Sequence, residues 1–236
     1  MAKKEETVTE NVPVNIEDLI KKQLQAQSGQ LGALPSNKIG LKNKMFTLPD
    51  GQSSPGPLEC IVLDFAWFLV HYPGVYNSAN PQKPNCFATG RENPEGGELL
   101  PHKSVEKPLG KTCKECPKNQ WGSAATGKGK ACKNQRRLIL VPPNFVVGET
   151  EPMTIYVSPQ GLKNWDKYAS RLNSEHGLLP LQAVTAIAFD KNQSYPLLTF
   201  SFIDRHTRVN DAWALREQSQ ELLFRALETK EGDKAA

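Results

Sequence analysis

The longest apolar segment of the chain runs from Leu58 to Tyr72 and is hydrophobic at most positions. It is rich in β-branched and aromatic residues, and Pro57 and Pro73 bound it. Because a surface helix would show a polar stripe, this composition predicts a long strand buried on both faces. Strict alternation then sets Ile61, Leu63, Phe65, Trp67 and Leu69 on one face and Cys60, Val62, Ala66, Phe68 and Val70 on the other.

Shorter segments alternate between apolar and polar residues, as strands with one buried face do. They are Met45 to Leu48, Arg137 to Leu140, Met153 to Val157, Gln182 to Asp190 and Leu197 to Ile203. Phe200 and Phe202 are expected in the core, although alternating aromatic residues can also form a surface on which bases stack.

Apolar residues at helical spacing predict three helices. These are a short amphipathic helix from Asn15 that carries Ile16, Leu19, Ile20 and Leu24, a second helix over Gln160 to His176, and a third from Asn210 or Asp211 to Leu227. Ser158 and Pro159 offer an N-cap and a first-turn proline for the second helix, and Gly177 is placed to end it. Trp165 lies on its apolar side and is expected in the core.

The segment from Asn85 to Arg137 interrupts this pattern, because it is rich in Gly, Pro and Lys and poor in large apolar residues. Burial alone would not offset the roughly 1–2 kcal/mol that ordering the backbone of each residue costs. Four of the five cysteines fall inside this segment. We therefore expect a bound metal ion to hold it.

Cys113 and Cys116 form a CxxC pair, which lets two thiolates reach one ion from a tight turn. Tetrahedral zinc needs two more ligands, for which Cys132 and Cys86 are the candidates, and His102 could replace Cys86. The prediction is a structural Zn²⁺ held by the four cysteines. A redox-active dithiol and plain buried cysteines are the alternatives.

Positive charge is concentrated in the same region. Between Lys103 and Arg137 there are ten Lys or Arg residues and two Glu, whereas the whole chain has a formal net charge of +4. Glycines and aromatic residues among these cations are typical of a surface that follows phosphates and stacks bases, although solvated surface lysines are the simpler explanation. The predicted phosphate ligands are Lys128, Lys130, Lys133, Arg136 and Arg137, and the predicted stacking residues are Trp121, Trp67 and Tyr72.

Length and composition set further limits. With 236 residues, 38% of them hydrophobic, the chain can form one medium domain with additions. No apolar run is long enough to cross a membrane and the first residues lack the apolar core of a signal peptide, so we expect a soluble cytoplasmic protein. An odd number of cysteines with one CxxC fits metal binding in a reducing compartment better than disulfide bonds.

The predicted order is strand, long strand, insertion, strand region, helix, strand, strand and terminal helix. An OB-fold barrel has five strands, with its helix between the third and fourth, and the second predicted helix falls there. We therefore expect a mainly β protein with flanking helices (α+β), with an OB-fold-like barrel interrupted by a zinc-binding insertion that has four cysteine ligands. The predicted parts are an arm at 1–44, an OB-like core at 45–209 with the insertion at about 77–135, and a C-terminal helix and tail at 210–236.

An OB-like core with a cysteine-ligated insertion and a basic, aromatic surface resembles the zinc-containing single-stranded DNA-binding proteins of bacteriophages. The motif that carries the resemblance runs from Cys113 to Pro143, and the element order covers about residues 45–205. The resemblance implies a non-catalytic protein that coats single-stranded DNA in phage replication, recombination or transcription, in the host cytoplasm.

Two other classes of function have weaker sequence support. The titratable residues open to a metal hydrolase are Asp64, His71, His102, His176 and His206. Nothing in the sequence groups them, and it contains no HExxH, Walker or GxSxG motif. The main alternative is a zinc ribbon that docks an RNA polymerase or another replication or transcription protein.

Overall fold

The computed structural model describes residues 37–74 and 82–226 of the chain. The predicted helix from Asn15 and most of the arm at 1–44 lie outside these residues. The described part is mainly β-structure with a few helices, as the sequence predicted for an α+β protein. Across these two ranges, helices that combine the length and the apolar composition of a membrane span are absent.

Nine strands in the described residues form two antiparallel sheets. They are β1 (Gly40–Lys42), β2 (Met45–Thr47), β3 (Ser53–Ser54), β4 (Leu58–His71), β5 (Cys86–Gly90), β6 (Lys133–Val141), β7 (Met153–Val157), β8 (Ala183–Phe189) and β9 (Leu198–Arg205). The small sheet has the order β1-β2-β3, and the main sheet has the order β7-β6-β4-β8-β9 with β5 also paired to β4. Because β1 lies at residues 40–42, the sheet structure begins before position 45, the predicted start of the core.

Three α-helices accompany the sheets: α1 (Leu162–His176), α2 (Val209–Gln218) and α3 (Gln220–Phe224). Gly177 ends α1 in the left-handed conformation, with φ of 64°, as predicted. The start of α1 differs from the prediction, since Pro159–Gly161 form a 3-10 turn and the side chain of Ser158 makes no capping hydrogen bond.

The predicted C-terminal helix is two helices that meet at Ser219. The hydroxyl of Ser219 donates to the carbonyl of Leu215 at 2.6 Å, and such a bond to the preceding turn competes with the main-chain ladder and often bends a helix. Helix α2 also begins at Val209, so the predicted caps Asn210 and Asp211 lie inside its first turn.

Both faces of the main sheet are covered. On the first face α1 packs through Trp165, Tyr168 and Leu172. On the second face α2 and α3 pack through Ala212, Leu215 and Leu223, together with Phe145. Trp165 is only 1% exposed, which confirms its predicted place in the core. Each large apolar side chain buried in this way contributes about 1.5–3 kcal/mol.

A buried carboxylate fixes the helices of the second face. Asp64, which is 6% exposed, accepts hydrogen bonds from Arg91 at 2.7 and 2.9 Å and from Gln220 at 2.9 Å, and Arg216 lies 3.0 Å away. Burial would raise the pKa of Asp64, but these partners and the Phe65 amide outweigh it and hold that pKa below its ordinary value. The network joins β4 to α2 and α3.

The main sheet does not close into a barrel within the described residues. Strand β9 pairs with β8 alone, and the free side of β7 carries a single bridge between Thr154 and Lys38. The long strand β4 pairs with β6 over most of its length, with β8 near its start and with β5 near its end. The mainly β architecture is thus confirmed, whereas the predicted barrel is not seen.

Candidate metal centre and nucleic-acid interface

A bulge in β4 decides which side chains face the cysteines. The register of β4 against β6 shifts between Val62 and Asp64. One extra residue reverses the direction of every later side chain. Phe65 therefore packs with the cluster of Val62 on the first face, whereas Leu63 belongs to the second. The predicted assignment of side chains to the two faces is therefore wrong for the residues after Asp64. As a result, Trp67 lies on the first face.

Four cysteines line one enclosed cavity next to Trp67. Cys86 begins β5, Cys113 and Cys116 lie in the cysteine loop (residues 91–132), and Cys132 directly precedes β6. The cavity has a volume of about 10 Å³. This is about the room that one water-sized sphere needs.

Main-chain hydrogen bonds position the cysteines. The amide of Cys113 donates to the carbonyl of Leu99 at 2.8 Å, and the amide of Cys132 donates to the carbonyl of Lys118 at 2.8 Å. Asn119 is 3% exposed, and its Nδ2 donates to the carbonyl of Cys113 at 2.8 Å. These bonds order the CxxC turn although few apolar side chains surround it.

The thiols act on one another electrostatically. Burial, and after it the neighbouring thiols, raise the pKa of Cys113 to about 12 and that of Cys132 to about 12. Burial also raises the pKa of Cys86, which a hydrogen bond from the Leu109 amide lowers and Cys116 raises. A bound cation would reverse this effect, because its positive charge stabilises the deprotonated thiolates that coordinate it. The donor set therefore fits zinc.

The four cysteines line one cavity, but this does not by itself make them a metal-binding group. Among residues 37–74 and 82–226, no three His, Cys, Asp or Glu side chains are arranged to hold an ion. His102 is not among the described residues that line the cavity, and its ring stacks on Phe87 at 4.9 Å. This placement favours Cys86 over His102 as the fourth ligand.

Trp121 is 78% exposed at the start of a tight turn. The turn closes where the amide of Gly122 donates to the carbonyl of Gly129 at 2.8 Å, and both glycines adopt φ of 85°. Lys130 Nζ lies 5.9 Å from the Trp121 ring centroid, and Lys128 is exposed in the same turn. An indole ring open to solvent beside ammonium groups suits a stacked base and its phosphate.

Two more aromatic residues pair with cations beside the loop. Lys133 Nζ lies 5.9 Å from the ring of Tyr72, which is 38% exposed. The Arg136 guanidinium lies 3.7 Å from the ring of Trp67, and its nearest carboxylate, Asp166, is 3.9 Å away. Arg136 Nε is buried and has no hydrogen-bond partner among the described residues. We call the pairs of Trp121, Tyr72 and Trp67 with Lys130, Lys133 and Arg136 the loop surface. Strand alternation sets Tyr72 and Lys133 on the opposite sheet face from Trp67 and Arg136, so this surface wraps around the end of the sheet.

Arg137 is placed differently from the other predicted phosphate ligands. It is 2% exposed, and its Nη1 donates to the carbonyls of Leu223 at 2.9 Å and Arg225 at 2.8 Å at the end of α3. Neighbours on a strand face opposite sides, which separates Arg137 from Arg136. A buried guanidinium committed to a helix end does not suit the predicted phosphate contact. Lys130 also has a partner in the protein, Glu95 at 2.7 Å.

Some residues of the site had no recognisable signal in the sequence. His71 lines the cavity, with its Nδ1 at 2.7 Å from Asn85 Oδ1. Gly110 lets the loop approach itself, since a Cβ atom there would lie 2.9 Å from Cys116 Cα. Asn119 could have been suspected from its place three residues after Cys116, where a turn that follows a CxxC pair needs side-chain hydrogen bonds.

Comparisons of this chain with models of protein families, with curated proteins and with solved structures found no match. The resemblance to phage single-stranded DNA-binding proteins therefore stays a prediction.

Proposed function

We propose that this chain is a zinc-containing protein that binds single-stranded DNA with little sequence preference. The observation that carries the proposal is the juxtaposition of the cysteine cavity with three aromatic–cation pairs in and beside the same loop. Zinc in the cavity of thiols would hold a loop that has few apolar residues. The aromatic–cation pairs would bind the nucleic acid.

Zinc held by Cys86, Cys113, Cys116 and Cys132 would supply charge neutralisation and local folding free energy, with no open position for catalysis. The protein's own residues do the binding. Lys128, Lys133 and Arg136 attract phosphates, while the rings of Trp121 and Tyr72 accept bases. Each stacked base contributes roughly 1–3 kcal/mol, and duplex DNA offers these rings no free base faces.

The proposal extends to the fold. The pairing of β4 with β6, β6 with β7, β4 with β8 and β8 with β9, with α1 between β7 and β8, is what an OB-fold with an open barrel requires. On this view the cysteine loop lengthens the connection between the first two barrel strands. Such a protein would act where thiols stay reduced, as in the cytoplasm.

The test compares the native protein with Trp121→Ala on labelled oligo-dT and on duplex DNA of the same length. We expect tighter binding to the single strand, a steep loss of affinity with salt, and an affinity for oligo-dT about 5- to 150-fold lower in the variant, as the loss of one stack predicts. Trp213→Ala is the matched control. Trp213 is 52% exposed and also has an arginine over its ring, Arg216 at 4.7 Å, but it belongs to α2, which packs on the second face of the main sheet.

Equal effects of the two tryptophan variants would contradict the assignment of the loop surface. A protein that retains zinc but binds neither single-stranded nor duplex DNA would contradict the function itself, and would favour the alternative in which the cysteine loop docks another protein. Metal analysis of protein purified without added zinc should give close to one equivalent.

A further inference from the structure

An open groove separates α1 from strand β9. It has a volume of about 480 Å³ and is lined by one face of α1 and by residues 199–202 of β9. The groove lies on the opposite side of α1 from Asp166, and none of the residues predicted from the sequence to bind nucleic acid lines it. The proposed function therefore leaves it unused.

Cations stand along the helical wall of this groove. Lys167 and Arg171 are exposed and lie one helical turn apart, so their Cα atoms are about 6 Å from each other along the axis. This spacing suits successive phosphates of an extended single strand. Arg205 adds a third cation at the C-terminal end of α1, where its Nη2 donates to the carbonyl of His176 at 3.1 Å.

One carboxylate competes for these cations. Glu175 pairs with Arg171 at 2.8 and 3.0 Å, one turn further along the exposed face of the helix. Exposed pairs of this kind are weak and are screened by salt. A phosphate with more than one contact can therefore replace Glu175 as the partner of Arg171.

Aromatic rings form the floor of the groove. The exposed ring of His176 stacks on Phe202 at 4.3 Å, with 29° between the ring planes. Tyr168 stacks on Phe200 at 6.0 Å with 27° between the planes. Phe200 and Phe202 are only partly buried, so the prediction that they are core residues holds for one side of each ring. A base could extend the stack that His176 and Phe202 begin.

Helix α1 links the groove to the loop surface. Asp166, in the second turn of α1, lies 3.9 Å from Arg136, which covers Trp67. The same helix then carries Lys167 and Arg171 into the groove. A strand that leaves the loop surface at Trp67 would pass around α1 from the side of Asp166 to reach Lys167 and Arg171.

We propose that the groove between α1 and β9 is a second track for the same single strand, which Lys167 and Arg171 hold by its phosphates and His176 and Phe202 by a stacked base. This inference rests on the proposed function and deepens it, because it predicts a binding site longer than the loop surface alone. It also gives a function to the exposed cations Lys167 and Arg171.

An extended peptide is the competing occupant, since β9 pairs on one side only within the described residues. Two features disfavour it. Asn164 Nδ2 donates to the carbonyl of Leu198 at 2.9 Å, and Arg205 bonds to the end of α1, so side chains bridge the helix and the strand at both ends of the groove. An added strand would have to displace these bridges, whereas phosphates and bases would lie above them.

The test uses the full chain and oligo-dT of two lengths, about 8 and about 30 nucleotides, because one OB-type site covers about 4–16 nucleotides. The groove variant is Lys167→Glu with Arg171→Glu. The control is Lys42→Glu with Lys191→Glu, which makes the same change of charge at exposed positions outside the groove. We expect the groove variant to bind the long oligonucleotide roughly tenfold more weakly than the control, with a salt slope smaller by about 1.4, and to bind the short one equally.

A third variant moves the affinity in the other direction. Glu175→Gln removes the competing carboxylate and should tighten binding of the long oligonucleotide while leaving the short one unchanged. This variant also guards against a misfolded groove variant, because a gain of affinity cannot come from loss of structure. Cross-linking of the native protein to oligo-dT that contains 5-iodouracil should label His176 or Phe202 with the long oligonucleotide only.

The outcomes separate the two proposals. Groove and control variants that bind both lengths alike, with no label in the groove, would overturn the second track and leave the loop surface intact. A peptide as the true occupant would give this same result. A native protein that binds neither length would overturn both proposals together.

Discussion

The main sheet and the cysteine loop are ordered by different forces. Strands β4 and β6 contribute Ile61, Val62, Leu138 and Ile139 at 0–1% exposure to two packed layers. In residues 91–132, by contrast, the buried apolar residues are Pro94, Leu99, Cys113 and Cys116. Burial accounts for the order of the sheet, whereas we expect the loop to need a partner other than its own side chains.

That partner has to act through the cysteines, because the loop's other contacts are individually small. Hydrogen bonds such as those of Asn119 and Gln120 to main-chain carbonyls contribute about 1 kcal/mol each. Ordering the backbone costs roughly 1–2 kcal/mol for every residue of the loop. A tightly bound structural zinc contributes on the order of 10 kcal/mol. On the proposed function, zinc would be the largest single contribution to the order of this loop.

Removal of the metal is the strongest test of this difference between the main sheet and the cysteine loop. With excess chelator, or in Cys113→Ser with Cys116→Ser, we expect amides of the cysteine loop to lose hydrogen-exchange protection worth on the order of 10 kcal/mol, because zinc binding supplies that local folding free energy. Amides of β8 and of the first half of β4 should keep theirs, since the layers that cover them contain no cysteine ligand, whereas Leu69 in the second half of β4 packs against Cys113. Hydrogen exchange with mass spectrometry measures both regions in one sample.

Cys60→Ala is the matched control. Cys60 is 1% exposed in the core of the sheet. It does not line the cavity of the other four cysteines, and its thiol donates to the carbonyl of Thr185. We expect this variant to lower the free energy of unfolding of the sheet by about 1–2 kcal/mol with the zinc content unchanged. Loss of protection in the sheet on chelation would show that loop and sheet are one cooperative unit. It would contradict the view that they are stabilised separately.

Most of the sheet could be predicted from the sequence because its signal is local. The alternating segments at Met153–Val157 and Leu58–His71 become strands with nearly the predicted ends, and Gly177 ends α1 as expected. The bulge after Val62 could not be predicted, because the strand is apolar on both faces. Its sequence therefore fits equally well with or without a one-residue shift in register. That shift alone moved Trp67 to the face of the cysteines.

The site was predictable in composition but not in arrangement. Spacing singled out four cysteines, and the structure gathers all four around one cavity. Charge counting could not separate Arg136 from Arg137, because only the strand pairing shows which side chain points to the second face and α3. The groove cations Lys167 and Arg171 were missed for a similar reason, since their partners on β9 are distant in sequence.

The adjacent residues Arg136 and Arg137 allow the sheet and the loop surface to be compared with single substitutions. Arg137→Met should lower the free energy of unfolding by about 3 kcal/mol, because the carbonyls of Leu223 and Arg225 would lose a buried charged donor. Its effect on the salt dependence of oligo-dT binding should be negligible. Arg136→Met should change stability by no more than about 1 kcal/mol and reduce the salt slope by about 0.7, since one phosphate contact is lost.

Chemical denaturation and binding titrations over a range of salt concentrations provide the two readouts. A variant of Arg137 that folds normally but binds oligo-dT weakly would mean that the predicted phosphate contact was correct and that α3 moves away on binding. Reduced stability without any binding defect in the Arg136 variant would remove Trp67 and Arg136 from the loop surface.

The smallest expected effect tests whether the loop is held as closely as its hydrogen bonds indicate. Gly110→Ala places a Cβ atom 2.9 Å from Cys116 Cα and 3.2 Å from the Thr112 carbonyl oxygen, so the main chain has to shift. We expect the loop to lose about 1–2 kcal/mol of local stability, the lower range of overpacking costs, and to release zinc to a chelator sooner. Gly96→Ala is the matched control in the same loop, because nothing lies within 4 Å of its added Cβ atom. The control should be neutral or stabilising by up to about 1 kcal/mol, since it reduces only the freedom of the unfolded chain. Equal rates of zinc release from the two variants would mean that the turn around Cys113 and Cys116 tolerates displacement, and that the metal orders the loop without a close-packed shell around it.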